Sequence, residues 1–404
     1  MNIKIVKTTL LSTFLLVALS ACKKKSSTSS TPSANTSNAQ TIDCSKKEIT
    51  TNTVWLDRGE GIDYIVNCTI EIKSSGSLTI SPGVTVQFTN GEAGILASEG
   101  YLNAVGTADK PIVFQGKNGI KGEWKGIYIF SNNSSNILNN VTIKDAGSEA
   151  WDYDLMPAGL TLANYDGTAR ASLLNSKLQN NSGYGMYLRD FNENIFEFSN
   201  NTIDNNSSYP IRLFFDQLGK LDVNTDYGKT NGNNFIDING SQSINTALTI
   251  KKLNVPYFVN DYFNYFDFKQ TVTINAGVTM VMEADYLIEV SGTMIVQGTS
   301  TNPVTFKGLN ENTKGTWRGI VLRNNNNNSF TNTIFDGGGS STISYAAKAN
   351  LCIGETLGSI GKATLTNCTF KNSDGYGYAK KSTATVTESG STFTNNTSGN
   401  IGSY

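Results

Sequence analysis

The segment KDAGSEAWDYDLMPAG, residues 144–159, concentrates the side chains best suited to chemistry on a small ligand. It carries Asp145, Glu149, Asp152 and Asp154 beside Trp151 and Tyr153. A pair of carboxylates can supply the acid and the base of glycosidic cleavage. An indole ring can stack on the apolar C–H face of a sugar. Three readings are therefore open. The segment is a solvated loop whose acids aid solubility, a ligand-binding loop using Trp151, Tyr153, Asp152 and Asp154, or a catalytic site. Tyr165, Tyr184 and Tyr187 follow and either extend an aromatic face or serve as turn and core residues. The Arg189-Asp190 pair follows them.

Other chemistry is constrained by what is missing. The chain has no histidine, which removes Ser-His-Asp and Cys-His catalysis and histidine-ligated metals. Catalysis would fall to carboxylates, Lys, Arg or Tyr. Gly228-Lys229-Thr230 ends like a phosphate loop, but Val223 stands where the first glycine is required. There is no CxxC pair and no calcium-binding nonapeptide repeat, so no cofactor or metal is expected. The formal net charge of −1 gives no general attraction to nucleic acid.

These residues must be positioned by a repeat. LTISPGVTVQF, residues 78–88, returns as VTINAGVTMVM, residues 272–282. Gly122-Glu123-Trp124-Lys125-Gly126-Ile127 returns as Gly315-Thr316-Trp317-Arg318-Gly319-Ile320, and Gly183-Tyr184-Gly185 as Gly375-Tyr376-Gly377. The chain is an internal duplication, about 54–211 and 247–404. The recurrence of Trp124 as Trp317 marks both as fold residues. Within each copy a shorter period of about 22–24 residues runs through Leu78, Leu102 and Trp124, and a period of that size marks a solenoid.

Its unit is a strand. Val84, Val86 and Phe88 alternate with Thr85 and Gln87, and Val141 and Ile143 repeat the alternation. Period two means half-buried strands. Asn, Gly and Ser punctuate them, and Asn suits tight corners because it tolerates left-handed backbone. Stacked short strands with one coil per period predict an all-β parallel β-helix. Ile143 to Leu178 is longer than one coil, so 144–159 should be thrown out as a loop with Trp151 exposed. The corresponding stretch after Asp336, GGGSSTISYAAKANLCIGE, has Glu355 as its one acid. The Asn324–Asn328 run reads as a turn.

LTISPGV, GYLNAVGT, PIVF and GEWKGI together resemble the right-handed parallel β-helix proteins of the pectin-lyase-like class, over about residues 45–404. More narrowly, the chain is similar to bacterial lipoproteins built from such helices. The resemblance implies the fold and is nearly silent on activity, since members include polysaccharide lyases and hydrolases as well as adhesins and surface proteins.

The N-terminus carries an address. Lys4 and Lys7 precede the apolar run TLLSTFLLVAL, which ends at Leu19-Ser20-Ala21-Cys22. A charged start, a short apolar core and small residues make a secretory signal, residues 1–21. Leu-Ser-Ala-Cys resembles the lipobox of bacterial lipoproteins, in which the signal is cut before a cysteine that receives lipid. Residues 22–44 are then the lipidated cysteine and a tether, since KKKSSTSSTPSANTSNAQTI has too little apolar content to fold. The protein is expected to be exported and anchored to a membrane, at the outer membrane or cell surface. Of Cys44, Cys68, Cys352 and Cys368, short-loop closure favours the pairs Cys44–Cys68 and Cys352–Cys368. The expected role is structural or binding, toward a carbohydrate or a surface protein, with a carboxylate-based polysaccharide lyase or hydrolase as the alternative.

Overall fold

Alternating apolar residues in short runs close into coils once each corner can turn. The computed structural model describes residues 38–165, 169–189, 194–240, 243–260, 263–343, 347–355, 358 and 360–404. The expected signal, Cys22 and the tether up to residue 37 lie outside the described residues. Nearly every regular element is a β-strand of two to six residues, and the strands stack in parallel ladders. In the first copy each coil contributes a strand to each of three walls. The first wall runs from Gln40–Thr41 to Thr202–Asp204, and the third from Asn52–Trp55 to Asn194–Ser199. The second wall belongs to one long sheet of 14 strands, Glu48–Ile49 to Thr392–Thr394, that passes through both copies. At about 4.8 Å per strand, the long sheet extends roughly 60 Å.

The interior is built from stacked side chains. Tyr64, Val86, Phe114, Ile143, Leu178 and Ile203 follow one another in register along the first wall, all buried. Trp124 and Trp317 are fully buried at equivalent corners, each donating its indole N–H to a backbone carbonyl at 2.8 Å, of Lys144 and Asp336 respectively. The NN pairs explain themselves at the next corner. Asn180 and Asn205 take positive φ, and the following Asn181 and Asn206 are buried. The Asn181 amide donates to Asn206 Oδ1 at 2.9 Å, and the Asn206 amide to Asn231 Oδ1 at 3.0 Å. Each ladder asparagine replaces the water its corner backbone would otherwise need. The Asn324–Asn328 turn is stitched to the coil above through Val290, Gly292 and Met294.

The two copies do not continue wall for wall. Thr85–Phe88 and Thr279–Met282 are equivalent in sequence, yet the first lies in the first wall and the second in the long sheet. In the second copy the long sheet receives the first strand of each coil. The second strands form a seven-stranded sheet from Ser243–Ile244 to Gly399–Ser403, and the third a six-stranded sheet from Leu248–Ile250 to Thr385–Ser389. The slip of one wall occurs where Ile211–Phe214, Ile236–Asn239 and Tyr257–Val259 succeed one another. There a 3₁₀ segment, Phe215–Lys220, lies between Asn194–Ser199 and Leu248–Ile250, and Phe215 is buried 4.1 Å from the Phe266 ring. Equivalent residues of the two copies therefore face different directions. The Gly-Tyr-Gly repeats at Tyr184 and Tyr376 do not make one continuous face.

Two further expectations are corrected. Residues 38–44 are not tether: Gln40 and Thr41 pair with Tyr64 and Ile65, because an edge strand needs backbone partners rather than apolar side chains. Cys44 and Cys68 form a disulfide, whereas Cys352 and Cys368 are free and buried. Cys352 packs outside its wall with Leu287, Val321 and Ala379, while Cys368 packs in the main interior with its thiol 3.3 Å from the Phe330 carbonyl. The wall itself separates the two sulfurs, and closeness in sequence does not overcome that.

Candidate functional site

The 144–159 segment folds back over the outer face of the long sheet instead of projecting from it. Trp151 is half-buried, 5.5 Å from the Tyr128 ring, with the Lys125 ammonium 5.2 Å from its centroid. It needs Gly94 beneath it, where a Cβ would stand 2.7 Å from the Trp151 ring. Leu155 and Ala158 join Tyr128, Tyr184 and Tyr187 in an apolar cluster outside the solenoid. Trp151 is thus a packing residue and not the exposed anchor expected from the sequence. Tyr153, 93% exposed, stands free at the tip, with the exposed Met156 three residues on.

The acids of the segment are already engaged. Asp152 accepts from the Tyr165 phenol and from the Tyr153 N–H, which hold its carboxyl below the usual range. Asp154 lies 3.3 Å from Arg189, whose guanidinium also sits 4.8 Å from the Tyr165 centroid. Glu149 pairs with Lys125 at 2.7 Å. Asp145 is buried against the Asn180 amide, and burial pushes its pKa up. Asp190 lies outside the described residues. Among the described residues no group of three or more acids and cysteines is arranged to hold a metal ion.

The outer face of the long sheet continues past the slip. Tyr128, Thr161, Tyr187, Arg212, Asp237, Phe258, Val281 and Lys307 follow one another in register. At its centre Asp237 is fully buried, 2.8 Å from Arg212, and accepts from the Tyr184 hydroxyl at 2.9 Å. Burial raises the Asp237 pKa, and the Arg212 guanidinium opposes that shift. Tyr209 stacks between Tyr184 and Phe258. Beyond Phe258 the face opens into a groove of about 610 Å³ lined by Phe235, Val281, Leu309, Lys252, Lys307 and Glu311. No motif in the sequence points to this groove, because its residues come from four separate coils.

A second group was also missed. Asp267 and Glu289 are register neighbours in the second copy's seven-stranded sheet, both largely buried outside the main core. Arg323 lies 2.7 Å from both Glu289 and Glu355. Burial raises the Glu289 pKa, Arg323 opposes the shift, and Asp267 and Glu355 add to it. The available signal was the 22-residue spacing of two acids at outward strand positions. Glu355, noted in the sequence as the acid of the second copy's loop, belongs here. That loop covers its own wall as the first does, with Ile343 and Ala347 over Leu287, Val321 and Cys352.

A family model described as a pectate-lyase like beta helix domain matches residues 47–153, the first coils as far as the tip of the covering segment. No curated protein and no solved structure matches the chain.

Proposed function

We propose that this parallel β-helix of the pectate-lyase-like class is a non-catalytic binding protein of the cell envelope. In this reading lipid on Cys22 anchors it, residues 23–37 tether it, and the outer face of the long sheet is its working surface. The observation that carries the reading is the open groove beside Phe235, on a sheet whose outward side chains form one unbroken register. A wall of stacked strands with an open, largely apolar concavity suits recognition. The acids of the 144–159 segment, by contrast, are engaged by Lys125, Arg189, Tyr165 and Asn180. The Leu19–Cys22 motif supports the anchor.

The test has two parts. Cys22→Ser should move the protein from the membrane fraction to the soluble fraction or leave its signal uncut; unchanged lipid labelling would sink the anchor. Immobilised wild-type protein is then challenged with envelope glycans and envelope proteins while the products are analysed. Retention without turnover is expected. Release of shortened glycan would favour the rival reading, a polysaccharide hydrolase or lyase. One observation supports that rival: Asp267 and Glu289 are adjacent, largely buried carboxyls, and burial raises the Glu289 pKa, as a general acid requires. Under it, Glu289→Gln abolishes turnover and leaves groove binding intact.

A further inference from the structure

Resting on the reading of the long sheet as a binding surface, we infer that the groove takes an extended peptide segment of the order aliphatic–acidic–aliphatic, and not a sugar chain. The first argument is the lining. Val281, Leu253, Pro256 and the 54%-exposed Leu309 are aliphatic, and of the two rings in the lining, Phe235 and Tyr257, the second is fully buried. Sugar sites place aromatic platforms beside free hydrogen-bonding groups. Here three of the polar side chains, Glu311, Lys307 and Asn254, are engaged with one another or with neighbouring coils. Glu311 is paired with Lys307. The Asn254 side chain accepts from Tyr227 N at 3.2 Å and donates to Asp226 at 2.6 Å.

The second argument is charge. Lys252 stands at the groove's edge and donates to the neutral Asn302 Oδ1 at 3.1 Å. Among the described residues no carboxylate forms an ion pair with it. Lys252 also borders a second, shallower depression, again of about 610 Å³, which holds Lys251 and the 56%-exposed Val223. An exposed apolar side chain thus lies on each side of an uncompensated cation. A segment with aliphatic side chains flanking a carboxylate would cover both apolar sites and match the cation. Extended backbone presents such side chains at regular spacing.

The probe is a fluorescein-labelled linear peptide with two glutamates flanked by leucines, titrated by fluorescence polarisation against the full chain. Saturable binding is expected, weakening as salt is raised. Leu309→Asp and Lys252→Glu should each weaken it about tenfold or more. Both side chains are exposed, so both variants should keep the wild-type Tm. Equal binding of a peptide with lysines in place of the glutamates overturns the inference, as does equal binding by wild type and Leu309→Asp. A second arm uses neutral and uronic oligosaccharides. Oligosaccharide binding that Leu309→Asp abolishes overturns the peptide occupant and leaves the binding reading standing. Absence of binding in both arms overturns the two together.

Discussion

At the scale of single residues, the outer face of the long sheet is decided by close fits. Trp151 packs against the sheet because residue 94 has no side chain. Trp151→Ala should cost about 2 kcal/mol in urea unfolding, less than a fully buried Trp because the ring is half exposed. Gly94→Ala should do similar damage, since its new methyl meets both the ring and the Gly126 carbonyl. A Trp151→Ala protein of unchanged stability would show that the ring is not packed. Asp285 gives a pH signature. Burial raises its pKa but is outweighed by hydrogen bonds from Arg318, Ser340 and Ser341, which bring it down to about 2. A depressed folded pKa means the contribution is present above the ordinary value of 3.8 and is lost as pH falls toward 2. Asp285→Asn should flatten the acid limb of the stability curve between about pH 4 and pH 2.

At the scale of elements, the corner asparagines hold coil to coil. Asn206 accepts from the backbone and side-chain N–H groups of Asn181 and donates its own amide to the Leu178 carbonyl and to Asn231. Asn206→Ala should strand buried donors and acceptors on two neighbouring coils. The expected cost is about 2–3 kcal/mol, read as a lowered urea midpoint with an unchanged slope. An exposed asparagine such as Asn205 should be nearly neutral when replaced by Gly, which also accepts positive φ. Equal effects at the two positions would refute the ladder.

At the scale of the whole molecule, the slip between copies centres on a buried ion pair. Arg212→Met would leave Asp237 charged, enclosed and without its cation, at an expected cost of about 3–5 kcal/mol. The double variant Arg212→Met/Asp237→Leu should recover most of that loss. In the single variant the raised Asp237 pKa means that this group's own contribution is fully present at low pH and is lost as pH rises through the folded value. Thiol counting reports the cysteine arrangement. Native protein should resist alkylation at Cys352 and Cys368, because burial pushes the Cys352 thiol to about 12 and the Cys368 thiol to about 11. Unfolded, unreduced protein should show two thiols if Cys22 carries lipid through its sulfur, and three if it does not.

The amino-acid sequence by itself determined the coil. Alternation at Val84, Val86 and Phe88, the corner asparagines, and the paired Trp124 and Trp317 follow from rules that act between near neighbours: pleat, left-handed backbone and burial. The duplication was legible for the same reason. Only the tertiary structure decided which walls line up, because the one-wall slip depends on how residues 215–235 fill the junction, and a period carries no information about that. It also decided that Trp151 rests on Gly94, that Cys352 and Cys368 lie on opposite sides of a wall, and that Asp267 meets Glu289. Lateral register between coils is set by packing across about 22–25 residues of chain, and the candidate groove is made from that register alone.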